Sequence, residues 1–198
     1  MIPSGACSCE HIRVKLSEAL QLFLQANYSQ SIEVLNDVEN ALKAFAFPDS
    51  MVDLIRSLRC FFKIVQIDAE VFQEGYLAMI KFITDKVLRQ EEPGYPGVSE
   101  LIHGYIEIFR AGYYAESGLH SIAVKYWERA KNLFDEAMKF LMKLEYTSRA
   151  NASDTVHKLE AKAQCNTLRV FSNLIPELST IAQVLSNYCE GHTHLSEA

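Results

Sequence analysis

Proline and glycine are scarce in this chain. There are five Pro and eight Gly in 198 residues, and most lie between stretches of helical apolar periodicity. Folds made of short strands and tight turns use more of both, so long helices are expected and no strand signal stands out. No apolar run reaches the ~18 residues of a membrane span, because Arg56, Arg59 and Lys63 interrupt the most apolar stretch. Membrane insertion is therefore not expected. The five cysteines (Cys7, Cys9, Cys60, Cys165, Cys189) are odd in number and irregular in spacing, so they imply no disulfide framework. Reduced thiols fit a cytoplasmic or nuclear compartment. The opening MIPSGACSCEHIR lacks the basic and then apolar regions of a secretory leader. Lys and Arg build no basic block and the net charge is −6, which argues against a nucleic-acid partner. A Gly-rich phosphate loop, a nucleophile elbow and a kinase signature are all missing, so no enzyme activity is expected.

What the chain does have is helical periodicity. Eight stretches carry apolar stripes, with residues 1–9 and 190–198 reading as flexible tails around one all-helical domain, 10–189. The first helix runs from about Glu10 to Ala26 and the second follows Asn27-Tyr28-Ser29, with Ser29 as an N-cap candidate. A third covers about Met51–Ile67 and a fourth about Asp68–Arg89, with Gly75 a weak point inside it. The linker QEEPGYPGVS, 90–99, is a possible sub-boundary. Ser99 then caps a fifth helix. Gly118 fits a left-handed helix end with Leu119 as its apolar contact, and Ser121 caps a long sixth helix. Asp135 and Lys139 are spaced to pair on it. A turn is expected at Tyr146–Ser153, a seventh helix to Ile175, and a short eighth beyond Pro176.

The segment from Gly104 to Ala137 carries a more specific pattern. Ala111 and Tyr114 on one helix are followed by Ala123, Trp127 and Ala130 on the next. Small residues let two backbones approach while the aromatics fill the space beside them. This resembles the tetratricopeptide repeat, a 34-residue helix–turn–helix. The family's leading Trp and Leu positions fall on Glu107 and Arg110 here, and its closing Pro on Asp135. A fainter copy lies at Ile12–Phe45, where Ala19, Leu22, Tyr28, Ser31, Leu35 and Val38 keep the spacing. The resemblance implies irregular helical hairpins stacked as an α-solenoid; a compact helical bundle is the alternative. A further similarity is to the three-helix microtubule-interacting-and-trafficking domain, also rich in Ala, Tyr and Leu.

The fifth helix is apolar on more than one face, through residues such as Leu101, Ile102, Tyr105, Ile106, Ile108 and Phe109. Such a helix is either buried between layers or covered by something else. In the repeat family the first helix of each hairpin lines a concave groove. The resemblance then implies that Leu16, Leu20, Phe23, Tyr105, Ile108 and Phe109 face a partner peptide or helix.

Metal-ligand residue types occur at Cys7-x-Cys9-x-His11 and at Cys189-x-x-His192-x-His194, which together could hold zinc between the two chain ends. Cys-x-Cys is not a usual structural-zinc spacing. Glu100-x-x-His103 matches half of a di-iron element, but such sites need two. No metal or cofactor is expected. The sequence reads as a non-enzymatic adaptor or scaffold subunit. The rival readings are a metal-dependent or other helical-bundle enzyme, and a structural homo-oligomer subunit.

Overall fold

In the computed structural model, residues 5–90, 93–150 and 155–197 are described, and among them there are seven α-helices and no strand. They are α1 (Gly5–Leu24), α2 (Tyr28–Ala44), α3 (Asp49–Val71), α4 (Tyr76–Ile83), α5 (Val98–Glu116), α6 (His120–Ala150) and α7 (Thr155–Glu197). The all-α expectation holds. A 3₁₀ turn at Phe72–Glu74 precedes α4, and a π turn at Thr84–Leu88 follows it.

Several helices depart from the expected boundaries for identifiable reasons. Nothing in Gln66–Ala69 stops a helix, so α3 runs on to Val71. The break comes instead at Gly75, whose φ of +90° only glycine adopts without strain. The turn expected at Tyr146–Ser153 is helical as far as Ala150, and 151–154 lie outside the described residues. The seventh and eighth helices are one, because α7 continues through Pro176. An interior proline costs roughly 3 kcal/mol in a helix. Here Pro176 is exposed and Ser172, one turn back, is only half-buried, while Ile175 and Leu178 beside the proline are buried. Helix also extends into both stretches read as tails, from Gly5 and out to Glu197.

The helix ends show how short loops set antiparallel neighbours. After α5, Leu119 N–H donates to the Tyr114 carbonyl (2.9 Å) and Gly118 N–H to that of Ala115 (3.0 Å), with Gly118 at φ +74°. This is the left-handed closure expected there. The same paired bonds follow α1 and α2, but alanines take the left-handed position: Ala26 at +60° and Ala46 at +53°. Two expected caps are replaced. Glu100 accepts the Gly97 N–H (2.5 Å) at the start of α5, and Ser29 lies inside α2, where it accepts from Gln66 (2.9 Å). Ser121 likewise falls inside the first turn of α6.

Helices α1, α2 and α3 pack in sequence, as do α5, α6 and α7, and α4 packs against α3 and α5. Between α1 and α2, Ser31 is buried and donates to the Ala19 carbonyl (2.7 Å). Between α5 and α6, Ala111, Ala123 and Ala130 are all fully buried. A Cβ on Gly104 would come within 2.5 Å of the buried Phe134 ring, so that glycine sets the helix spacing. The first half of α7 also packs against α1. Units of a solenoid touch only their neighbours; contact between first and last helices belongs to a closed bundle, the alternative architecture expected above.

One buried charge joins α2 to α3. Glu39 is 4% exposed and pairs with Lys43 (2.6 Å), Arg56 (3.4 Å) and Arg59. Burial pushes its carboxyl up, but the bond from Lys43 and the Arg59 and Arg56 charges outweigh that and hold it below the ordinary value. A depressed folded-state value stabilises the fold above the unfolded carboxyl value, and the gain is lost as pH falls through the folded one. Urea titrations from pH 6 down to about pH 3 should therefore show a smaller loss of stability in Glu39→Gln than in the parent chain. Ala46→Gly should raise stability by about 0.5–1 kcal/mol, since it relieves a left-handed alanine at a smaller cost in unfolded-chain entropy; urea midpoints measure it.

Candidate interaction surface

The six residues that the repeat resemblance placed in a groove are brought together, but by the core. Leu16, Leu20 and Phe109 are 2%, 5% and 3% exposed. Phe23, Tyr105 and Ile108 are half-buried and packed against them. Phe62 of α3 stacks on Phe23, with ring centres 3.9 Å apart. Phe61 of α3 meets Tyr105 of α5 edge-on at 6.1 Å, and Phe171 of α7 meets Phe61 at 4.9 Å. Tyr105 in turn contacts Phe109 at 5.5 Å. The walls of the expected groove exist, and α3 and α7 of the same chain fill it. This also explains the apolar girth of α5, which lies between α6 on one side and α3 and α4 on the other.

Polar groups in this layer are structural. Tyr105 donates to Asp68 (3.2 Å) across α5 and α3. Burial pushes the Asp68 carboxyl up against the lowering effect of that bond, and burial together with the Asp68 charge raises the Tyr105 hydroxyl. Glu107, at the family's Trp position, is 3% exposed and pairs with Arg110 (2.5 Å). Asp135 pairs with Lys131 (2.9 Å) rather than the expected Lys139, and accepts from Ser179 of α7 (2.9 Å).

The two Cys/His clusters lie far apart. The start of α1 lies near α7 at Lys162, whose charge acts on Glu10. Cys189 is 27 positions further along the same helix, roughly 40 Å away at 1.5 Å per residue. At that far end Cys189 is buried beside Trp127, and His192 stacks on His120 with ring centres 5.0 Å apart. Burial pushes the Cys189 thiol up against the pull of the Trp127 indole N–H. No group of three potential metal ligands occurs among the described residues. Glu100 caps α5 and His103 is exposed.

A shallow groove of about 270 Å³ lies between α1 and α7, lined by residues including Leu20, Leu24, Asn166 and Arg169. A more distinctive surface lies on the second half of α7. Its inward residues are mostly small: Ala182, Ser186 and Cys189 are 0%, 1% and 2% exposed. Leu178 and Leu185 join them on the inner side, but four other large apolar residues point outward: Ile181, Val184, Tyr188 and Leu195 are 49%, 59%, 60% and 76% exposed. They recur at three- and four-residue steps, with Gly191 at the remaining step, so they form one line along the helix. A surface helix ordinarily turns its large apolar side chains inward.

No protein-family model, curated protein or solved structure matches this chain. Function must be read from the surface itself. No helix among the described residues is long and apolar enough to cross a membrane.

Because Phe109 belongs to the core, Phe109→Ala should cost about 3–5 kcal/mol, whereas Tyr105→Phe, which removes one partly buried hydrogen bond, should cost about 0.5–1.5. Urea denaturation of both variants separates these values.

Proposed function

We propose that this chain is a non-enzymatic interaction subunit that presents the outward face of α7 to a partner polypeptide. The observation that carries the reading is a second apolar line on α7: Leu178, Ala182, Leu185 and Cys189 pack inward, while Ile181, Val184, Tyr188 and Leu195 face water. Exposed apolar residues scattered singly need no explanation, but four on one line of a helix, interrupted only at Gly191, do. A line at three- and four-residue spacing suits a helix laid alongside, with side chains of one seated between side chains of the other. The face is also well braced from behind. Ser179 bonds to Asp135, Cys189 packs on Trp127, and His192 stacks on His120. Ordering it on binding therefore costs little.

The partner site expected on α1 and α5 moves accordingly to α7, and the adaptor role stays the same. Photo-crosslinking in the native cell tests this, with a photoreactive residue at Val184 and a control at exposed Lys158. A discrete adduct with a second polypeptide at Val184 but not at Lys158 is expected. Equal or no adducts at the two positions would refute the role. Val184→Glu should leave the helical signal and urea midpoint near those of the parent chain, because the side chain is 59% exposed.

A further inference from the structure

We infer that the partner on this face is a basic amphipathic helix rather than a second copy of the chain or a lipid surface; the inference rests on the α7 reading above. The deciding observation is a charge asymmetry along the chain. All of its 19 Lys and Arg residues lie at or before Arg169. From Val170 to Ala198 the only Asp, Glu, Lys or Arg side chains are Glu177, Glu190 and Glu197. Glu177 and Glu190 are exposed and make no ion pair among the described residues.

Each occupant has an electrostatic requirement. Helices that lie on membranes carry Lys and Arg on their polar face to meet anionic headgroups, and the half of α7 from Val170 onward carries none. A second copy would bring another acidic, cation-free face and gain no attraction across the seam. A helix with Lys or Arg beside its apolar stripe would meet complementary charge, which steers encounter and fixes register.

Two positions on the line sharpen the description. Glu177 lies four residues before Ile181, on the same line as Val184, Tyr188 and Leu195, so one negative charge heads the stripe. Gly191 lies between Tyr188 and Leu195 on that line, and a Cβ built on it meets nothing within 4 Å. It leaves a notch into which a bulky side chain from the partner fits. The partner is thus described as a helix about 18–20 residues long, which is roughly 27–30 Å. It carries a basic residue opposite Glu177 and a large apolar residue about two heptads away opposite Gly191.

Two fluorescein-labelled peptides test this against the full chain by fluorescence anisotropy. Both have Leu and Ile on one heptad seam; one carries Lys along its flanks and its twin carries Glu. The Lys peptide should bind at least about tenfold more tightly, and the gap should close near 0.5 M salt, where screening reaches within about 4 Å. Val184→Glu should abolish binding. Glu177→Lys should narrow the preference with the fold intact, and Gly191→Leu, filling the notch, should weaken the Lys peptide. Equal binding of the twins, no measurable binding of either, or indifference to Val184→Glu would overturn the inference. So would light scattering that shows a dimer which Val184→Glu dissolves, or sedimentation with anionic vesicles. Adducts at Val184 together with equal binding of the twins would leave the interaction role standing and remove only the basic partner.

Discussion

Phe61 is the contact on which the rest of the molecule depends. It is fully buried, and four helices converge on it: its own α3, α1 through Phe23 at 6.1 Å, α5 through Tyr105 at 6.1 Å, and α7 through Phe171 at 4.9 Å. A buried aromatic ring of this size contributes several kcal/mol through burial, and edge-on ring pairs add about 0.5–1.5 kcal/mol each. That is a large share of a stability ordinarily near 5–15 kcal/mol. Because its partners come from both the first three helices and the last three, Phe61 also ties the two trios into one core.

This junction determines where a partner can bind. With Phe61, Phe62 and Phe171 inside, the space between α1 and α5 is occupied by the chain itself. The free apolar surface is pushed to the outer side of α7. That helix serves two surfaces at once: its first half closes the bundle against α1, and its second half packs on α6 through Leu178, Ala182, Leu185 and Cys189. Ile181, Val184, Tyr188 and Leu195 on that part of α7 are left facing outward.

Much of the helical framework was legible in the sequence because the signals are local. The apolar stripes located α1, α2, α3, α5 and α6, and the Gly118-Leu119 pair announced its left-handed closure. Alanine advertises no such geometry, so the equivalent closures at Ala26 and Ala46 were invisible. At Pro176 the sequence lacks the deciding context. A proline ends a helix in isolation, but one flanked by buried Ile175 and Leu178 and turned toward water is carried through. The site was less legible still. Ile181 and Val184 mark a helix in the sequence, but periodicity identifies apolar faces without saying which of them is covered. The buried face of that half-helix, with Ala182, Ser186 and Cys189, looks weakly polar in sequence. Leu16, Phe23, Tyr105 and Phe109 read as groove walls because the α3 aromatics packed among them lie on a different hairpin, and no local spacing connects the two.

The most direct test of this account uses a native thiol. Cys60 precedes Phe61 on α3 and is fully buried, whereas Cys9 and Cys165 are half-buried. Alkylation rates at each cysteine, followed by mass spectrometry across a urea series, report whether α3 is enclosed. The account predicts that Cys60 is protected in the native state and reacts only through global unfolding, with a urea dependence matching that of the whole chain. Reaction of Cys60 without urea at a rate close to that of Cys165 would contradict it, and would reopen the space between α1 and α5 as a binding groove.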